Sequence, residues 1–197
     1  HSRLSFFRDL GLGLKGPESF DPLEPKDINF FNLNLNEWQK KAVSKALAVR
    51  DIALIHGPPG TGKTTVLVEV IRQAIRQGQF VFATAPSNTA CDNLLECLVT
   101  AGVSALRLGH PARIMRHLRE HTFDFKLASH PLAKTVDDLE MELHRIFLKR
   151  QRRRDRRALN RDIKEEMAEE IRRLKSEIRD LDTQIFSQVV LQAPVMI

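Results

Sequence analysis

Gly57, Pro58, Pro59, Gly60, Thr61, Gly62, Lys63 and Thr64 satisfy the spacing G-x-x-x-x-G-K-[ST], a pattern whose parts have separate physical tasks. Glycines let the backbone turn its N–H groups inward and come close to a phosphate chain. A helix beginning at the end of the motif adds unpaired N–H groups and a partial positive charge. Lys63 brings a full charge to the β and γ phosphates, and Thr64 offers a hydroxyl to Mg²⁺. Residues 57–64 with Thr65 are therefore the candidate site for a nucleoside triphosphate and Mg²⁺, with Lys63 and Thr64 as the catalytic pair. The bland alternative is a glycine turn that holds nothing. The motif narrows the ligand to a nucleoside triphosphate and leaves the job open.

Such a loop works only between a strand and a helix, and the flanking pattern supplies both. Residues 51–56 form a short apolar run bounded by turn residues, which predicts a buried parallel strand. Residues 62–77 place Val66, Val70, Ile71 and Ala74 on one face, with Gly78 as the stop. Upstream, Asn36 can cap a helix on which Trp38, Ala42, Val43, Ala46 and Leu47 recur at helical spacing, ending near residue 50. Downstream come a strand over 80–85, a polar turn at Pro86, Ser87 and Asn88, a helix over 89–100 carrying Leu94, Leu95, Leu98 and Val99, and a strand over 104–108. Strands alternating with helices predict an α/β fold, a parallel sheet covered by helices, and the motif at the strand–helix junction makes it one of the phosphate-loop ATPase kind.

Beyond residue 131 the period changes. Leu159, Ile163, Met167, Ile171, Leu174, Ile178, Leu181 and Ile185 are spaced by three and four, and Val136, Leu139, Leu143, Ile146 and Phe147 make a shorter stripe. With the charged segment 151–157 as a bend, residues 134–187 read as an antiparallel helical hairpin or as one long helix. Residues 189–191 would open a strand returning to the sheet. The boundaries expected are a linker or end of a preceding subdomain at 1–35, irregular because of its glycines and prolines, an α/β domain at 36–130 and 188–197, and a basic helical insertion at 131–187.

The net charge of +6 is concentrated in that insertion: residues 145–179 hold 14 Lys or Arg against 7 Asp or Glu, while the rest of the chain holds 17 against 18. A basic projection on a nearly neutral body suits a polyanion, and it also suits a solvated helix face. No apolar run is long enough to cross a bilayer, which points to a protein of the cytoplasm or nucleus with no membrane partner. Cys91 and Cys97 fit neither a disulfide framework nor a zinc site, and are expected to be reduced. His117 and His121, one helical turn apart, lack a third metal ligand nearby in sequence. The first residue is His rather than Met, so the chain is expected to be a piece of a longer one, a processed product or an incomplete gene model.

The segment Leu35-Asn36-Glu37-Trp38-Gln39, the phosphate loop, and Ala85-Pro86-Ser87-Asn88-Thr89-Ala90 together resemble the superfamily 1 helicases of the nonsense-mediated-decay and immunoglobulin-mu-binding group. Arg107-Leu108-Gly109-His110-Pro111-Ala112-Arg113 narrows the resemblance to the immunoglobulin-mu-binding side of that group. It covers residues 30–115 well, and 134–187 only in kind. The resemblance implies that Gln39 reads adenine, that Pro86, Ser87 and Asn88 touch a single strand of RNA or DNA, and that the parent is a monomeric motor moving 5′ to 3′ on ATP. It also implies that 36–130 and 188–197 are the N-terminal half of a first motor domain with a RecA-like sheet, incomplete in this chain, and that the parent has an Asp-Glu pair on a strand and a second motor domain. Asp137-Asp138 and Glu165-Glu166 fall on helical patterns, and residues 192–197 depart from the threonine-rich continuation of the group. The isolated chain should thus hydrolyse ATP poorly or not at all. Two other readings stand beside this one: a phosphate-loop ATPase of the AAA type, such as a clamp loader, and a non-enzymatic module that binds nucleic acid or a partner helix.

Overall fold

The computed structural model describes residues 2–16, 28–49, 52–155 and 161–197. They divide into two compact units, His1–Phe82 with Glu96–Val103 and Ala83–Leu95 with Ser104–Ile197.

In the first unit, α1 (Ser2–Gly11) occupies part of the stretch expected to be irregular. The prolines at 17, 22 and 25 that argued for irregular backbone lie outside the described residues, and Pro disrupts only its own neighbourhood. Helix α2 (Glu37–Ala48) begins with a capping box: the Asn36 side chain accepts the Gln39 N–H, and the Gln39 side chain accepts the Asn36 N–H. Helix α3 (Lys63–Arg76) packs on α2, with Leu35, Val43 and Val66 at the centre and Phe30, Ala42, Leu47 and Val70 around them. Trp38, expected on the buried stripe of α2, is instead 80% exposed, and its ring lies 5.3 Å from the Lys41 ammonium. Helix α3 stops as expected at Gly78: the Gly78 and Gln79 amides donate back to Ile75 and Ala74.

The strand expected at 51–56 is not formed. Residue 51 is outside the described residues, and 52–58 have no regular structure, with Leu54 94% exposed. A strand makes no hydrogen bonds within itself and exists only where neighbours supply them. Among the described residues none does so here. The next strand shortens to β1 (Val81–Phe82).

In the second unit, β2 (Ala105–Leu106) pairs in parallel with β3 (Val195–Met196), Ala105 opposite Val195 and Leu106 opposite Met196. On the other side of β3, the Ala83 N–H donates to the Met196 carbonyl at 2.8 Å. The fold is thus mixed α/β with a small parallel sheet. Helix α4 (Asn88–Thr100) buries Cys91, Asp92, Leu94, Leu95 and Leu98. Both cysteines are free. The short α5 (Phe123–Ala128) is capped by Thr122.

Residues 134–187 resolve into two helices, α6 (Ala133–Asp155) and α7 (Arg161–Leu191). Val136 packs with Ile185 and Val189, while Ile146 packs with Met167, Ile171 and Leu174, so the helices run antiparallel. Residues 151–155, expected to bend, remain helical; residues 156–160, with Leu159, lie outside the described residues. The strand expected from 189 is a correction of the same kind. Val189 prolongs the buried seam of α7 through one more turn, and the chain leaves the helix after Leu191, ahead of Pro194, which cannot continue one. The strand begins at Val195 instead.

Candidate functional site

The phosphate loop leaves residue 58 in a turn and enters α3 at Lys63. Gly60 and Gly62 have φ of 79° and 82°, in the left-handed region that glycine enters without penalty. Space is as restrictive as torsion. A Cβ on Gly62 would lie 2.6 Å from the Gln39 amide nitrogen, and one on Gly57 would lie 2.8 Å from the Thr61 hydroxyl oxygen. No side chain caps α3, so its first N–H groups face outward from a loop whose residues 58–61 and 63–65 are exposed. The residues present therefore fit a phosphate group: backbone donors, glycines at the left-handed turning positions 60 and 62, and one ammonium.

That ammonium is curled onto the loop. Lys63 Nζ donates to the Gly57 carbonyl at 2.6 Å and to the Pro58 carbonyl at 2.8 Å. The Thr61 hydroxyl also donates to the Pro58 carbonyl, at 2.8 Å. Thr64 and Thr65 lie in the first turn of α3 with exposed side chains.

Gln39 is brought to the same loop. Its Nε2 donates to the Thr61 carbonyl at 3.1 Å, and its Oε1 accepts the Asn36 N–H at 3.0 Å. An amide has two N–H donors and two lone pairs, so one of each remains after these bonds. Capping α2 and recognising a base are compatible tasks for one side chain.

Residues 28–35, read from sequence as linker, are laced to α3. The Glu69 carboxylate, 1% exposed, accepts the Phe31 N–H at 2.9 Å and the Asn32 N–H at 3.0 Å. Gln73 Nε2 donates to Glu69 and to the Asn29 carbonyl, and Arg76 donates to the same carbonyl. The Arg72 guanidinium lies 4.3 Å from the centre of the Phe31 ring. Glu69 was missed because a charged residue on a helix reads as solvent-facing. Its signal was the spacing: it sits three residues from both Val66 and Arg72, on the edge of the buried face.

The turn at Pro86, Ser87 and Asn88 opens α4. Ser87 Oγ accepts the Ala90 N–H at 3.2 Å, making Ser87 the cap, and Asn88 Oδ1 accepts from Arg107 at 3.1 Å. All three residues are exposed. Arg107 is only 5% exposed; its Nε donates to Asp92 Oδ1 at 3.0 Å, and Asp92 Oδ2 accepts the Met115 N–H at 3.1 Å. This buried pair was invisible as a pair from sequence, since fifteen positions separate its members.

His117 and His121 lie in a 3₁₀ helix, Arg116–His121, so residues four apart are not stacked one turn above the other. Among the described residues no group of three or more His, Cys, Asp or Glu is placed to hold a metal. No described helix is long and apolar enough to cross a membrane. Asp137-Asp138 and Glu165-Glu166 are confined to α6 and α7.

Comparison with known proteins extends this geometry. A family model described as an AAA domain matches residues 34–196, the whole span from the α2 cap to β3. The chain belongs to this AAA domain family. Among curated proteins it is 39% identical over 189 residues to DNA-binding protein SMUBP-2 of Rattus norvegicus, covering 96% of this chain and 18% of that protein. It is 36% identical over 167 residues to DNA polymerase alpha-associated DNA helicase A of Schizosaccharomyces pombe, covering 83% and 25%. An uncharacterized ATP-dependent helicase of Methanocaldococcus jannaschii is 42% identical over 139 residues, covering 68% and 21%. The chain thus spans between about a fifth and a quarter of the length of these relatives, and the likeness to helicases expected from the phosphate loop and its neighbours is present along most of it.

Proposed function

We propose that this chain is the nucleotide-binding part of the first motor domain of an ATP-dependent helicase that moves 5′ to 3′ on single-stranded RNA or DNA. The observation that carries the reading is the open glycine loop at the start of α3, with Lys63 at its end and Gln39 against its back. The helicase names of the relatives support it. Lys63 exchanges the Gly57 and Pro58 carbonyls for phosphate oxygens. The glycine-turned amides hold the same oxygens, Thr64 would hold Mg²⁺, and the spare donor and acceptor of Gln39 match N7 and N6 of adenine. Mg²⁺, when bound, neutralises charge on the phosphates. Pro86, Ser87 and Asn88 touch the single strand, and the basic α6 and α7 flank it. The motor domain comprises 36–130 and 188–197, with 28–35 laced to it and 131–187 as its insertion. The parent works as a monomer in the cytoplasm or nucleus.

Catalysis in such motors is mainly positioning and charge neutralisation. The resemblance assigns the Asp-Glu pair and a second motor domain to that task, and the acidic pairs of this chain lie on α6 and α7. This chain by itself is therefore expected to bind ATP with little turnover. Isothermal titration of ATP with Mg²⁺ into the chain and into Lys63→Ala tests the reading: affinity should fall at least about tenfold, the cost of losing a charge-assisted bond. Equal binding by both overturns it. Failure of single-stranded RNA or DNA to stimulate the parent's ATPase would favour an AAA ATPase of another kind over a helicase.

A further inference from the structure

The guanidinium of Arg107 faces four acceptors. Nε donates to Asp92 Oδ1 at 3.0 Å, Nη2 to Asn88 Oδ1 at 3.1 Å, and Nη1 to the carbonyls of Leu108 and, at 3.5 Å, Ile197. Its backbone is fixed too, by donating to the His121 carbonyl and accepting the Phe123 N–H. Arg107 and Asp92 are 5% and 2% exposed, whereas Asn88 is exposed. A guanidinium has five N–H donors and no acceptor. The Asn88 atom that faces it must therefore be the amide oxygen, and the amide nitrogen, on the opposite branch of a planar group, is turned away from Arg107 with both of its hydrogens. The neighbouring hydroxyl has the same polarity: Ser87 Oγ already accepts the Ala90 N–H, and its own hydrogen remains to be donated.

We infer that Arg107 is a positioning residue for the strand contact, locking the Asn88 amide so that its NH₂ is presented as a donor to a backbone phosphate oxygen. The inference rests on the proposed role of Pro86, Ser87 and Asn88 in touching nucleic acid, and adds what they select. A freely rotating Asn offers donor and acceptor alike and suits base edges. One held as a pure donor beside a second donor suits the phosphodiester, which has only acceptors. Binding at this turn is then indifferent to sequence, and Arg107 acts on it from within the fold without touching the strand.

The experiment is fluorescence anisotropy of a labelled oligothymidylate, titrated with the full chain across a salt series. Folding is followed by thermal melting, and ATP binding at the phosphate loop serves as a second control. Asn88→Ala should weaken binding by about tenfold. Asn88→Asp keeps an oxygen toward Arg107 but turns an anionic oxygen outward, so it should bind still more weakly while melting no lower than the unaltered chain. Arg107→Lys keeps charge beside Asp92 but lacks the fork that reaches Asn88 as well. It should weaken binding in the unaltered chain, add nothing in an Asn88→Ala background, and leave the slope of log affinity against log salt unchanged, where loss of a direct phosphate contact would lower it by about 0.7. Unaltered binding by Asn88→Ala overturns the strand contact itself. Weakened binding by Asn88→Ala together with normal binding by Asn88→Asp, or with an undiminished Arg107→Lys effect in the Asn88→Ala background, overturns the positioning role alone. Should Arg107→Lys fail to fold, the Asn88→Asp result decides.

Discussion

Lys63 and Arg107 carry the same charge to opposite ends. Lys63 is exposed and bonded to carbonyls of its own loop, partners it can exchange for a ligand at little cost. Arg107 is buried against Asp92, with its donors directed at fixed acceptors. A charge withdrawn from water must be paired permanently, because breaking a buried pair leaves an uncompensated ion, and only a charge left in water remains free to serve a ligand. In the first region function is visible as incompleteness of local bonding; in the second, as saturation that orients a neighbour.

Substitutions sharpen this contrast. The largest effect is expected for Arg107→Met, which strands Asp92 inside the second unit and should cost about 3 to 5 kcal/mol; urea unfolding that shows less than about 1 kcal/mol would remove the buried pair from the comparison. Glu69→Gln comes next. The amide keeps one oxygen for the Phe31 or Asn32 N–H but turns an NH₂ toward the other, which should cost about 1 to 3 kcal/mol. Residues 28–35 should then become sensitive to a protease, and unchanged protection would show that apolar contacts alone hold that segment. Gly62→Ala forces a Cβ into the left-handed region and against Gln39. About 1 to 2 kcal/mol is expected, read as a lower melting temperature together with weakened ATP binding. The smallest change in stability belongs to Lys63→Met, within about 0.5 kcal/mol, although ATP binding falls. A melting temperature that drops as far as in Arg107→Met would erase the distinction between the two charges.

The elements with strong local instructions were readable in advance. Helix α3 has Val66, Ile71 and Ala74 on one face and Gly78 as its stop, and α7 carries its buried seam at the spacings of three and four that a packed helix needs. Strands were read less well. Residues 52–56 look like a core strand by composition and are exposed, while Val189 looked like the start of one and closes a helix. Both errors have one cause: the hydrogen bonds of a strand belong to its neighbours, whereas those of a helix lie within four residues. For the site, the structure places Gln39 against the loop and makes Ser87 the cap of α4. Glu69 and Asp92 went unread as charges on otherwise ordinary helices, and Arg107 was read only as part of the resembling segment, not as a buried partner of Asp92.

Residue order alone determined where the glycines, Lys63 and the helix starts and stops fall, since each depends on torsional freedom or on bonds to residues a few places away. Which charges are withdrawn from water, which strands find partners, and which atom of Asn88 faces out were decided only by the tertiary structure. Those outcomes depend on Asp92 meeting Arg107 and on Ala105 meeting Val195, encounters between distant segments for which no local preference exists.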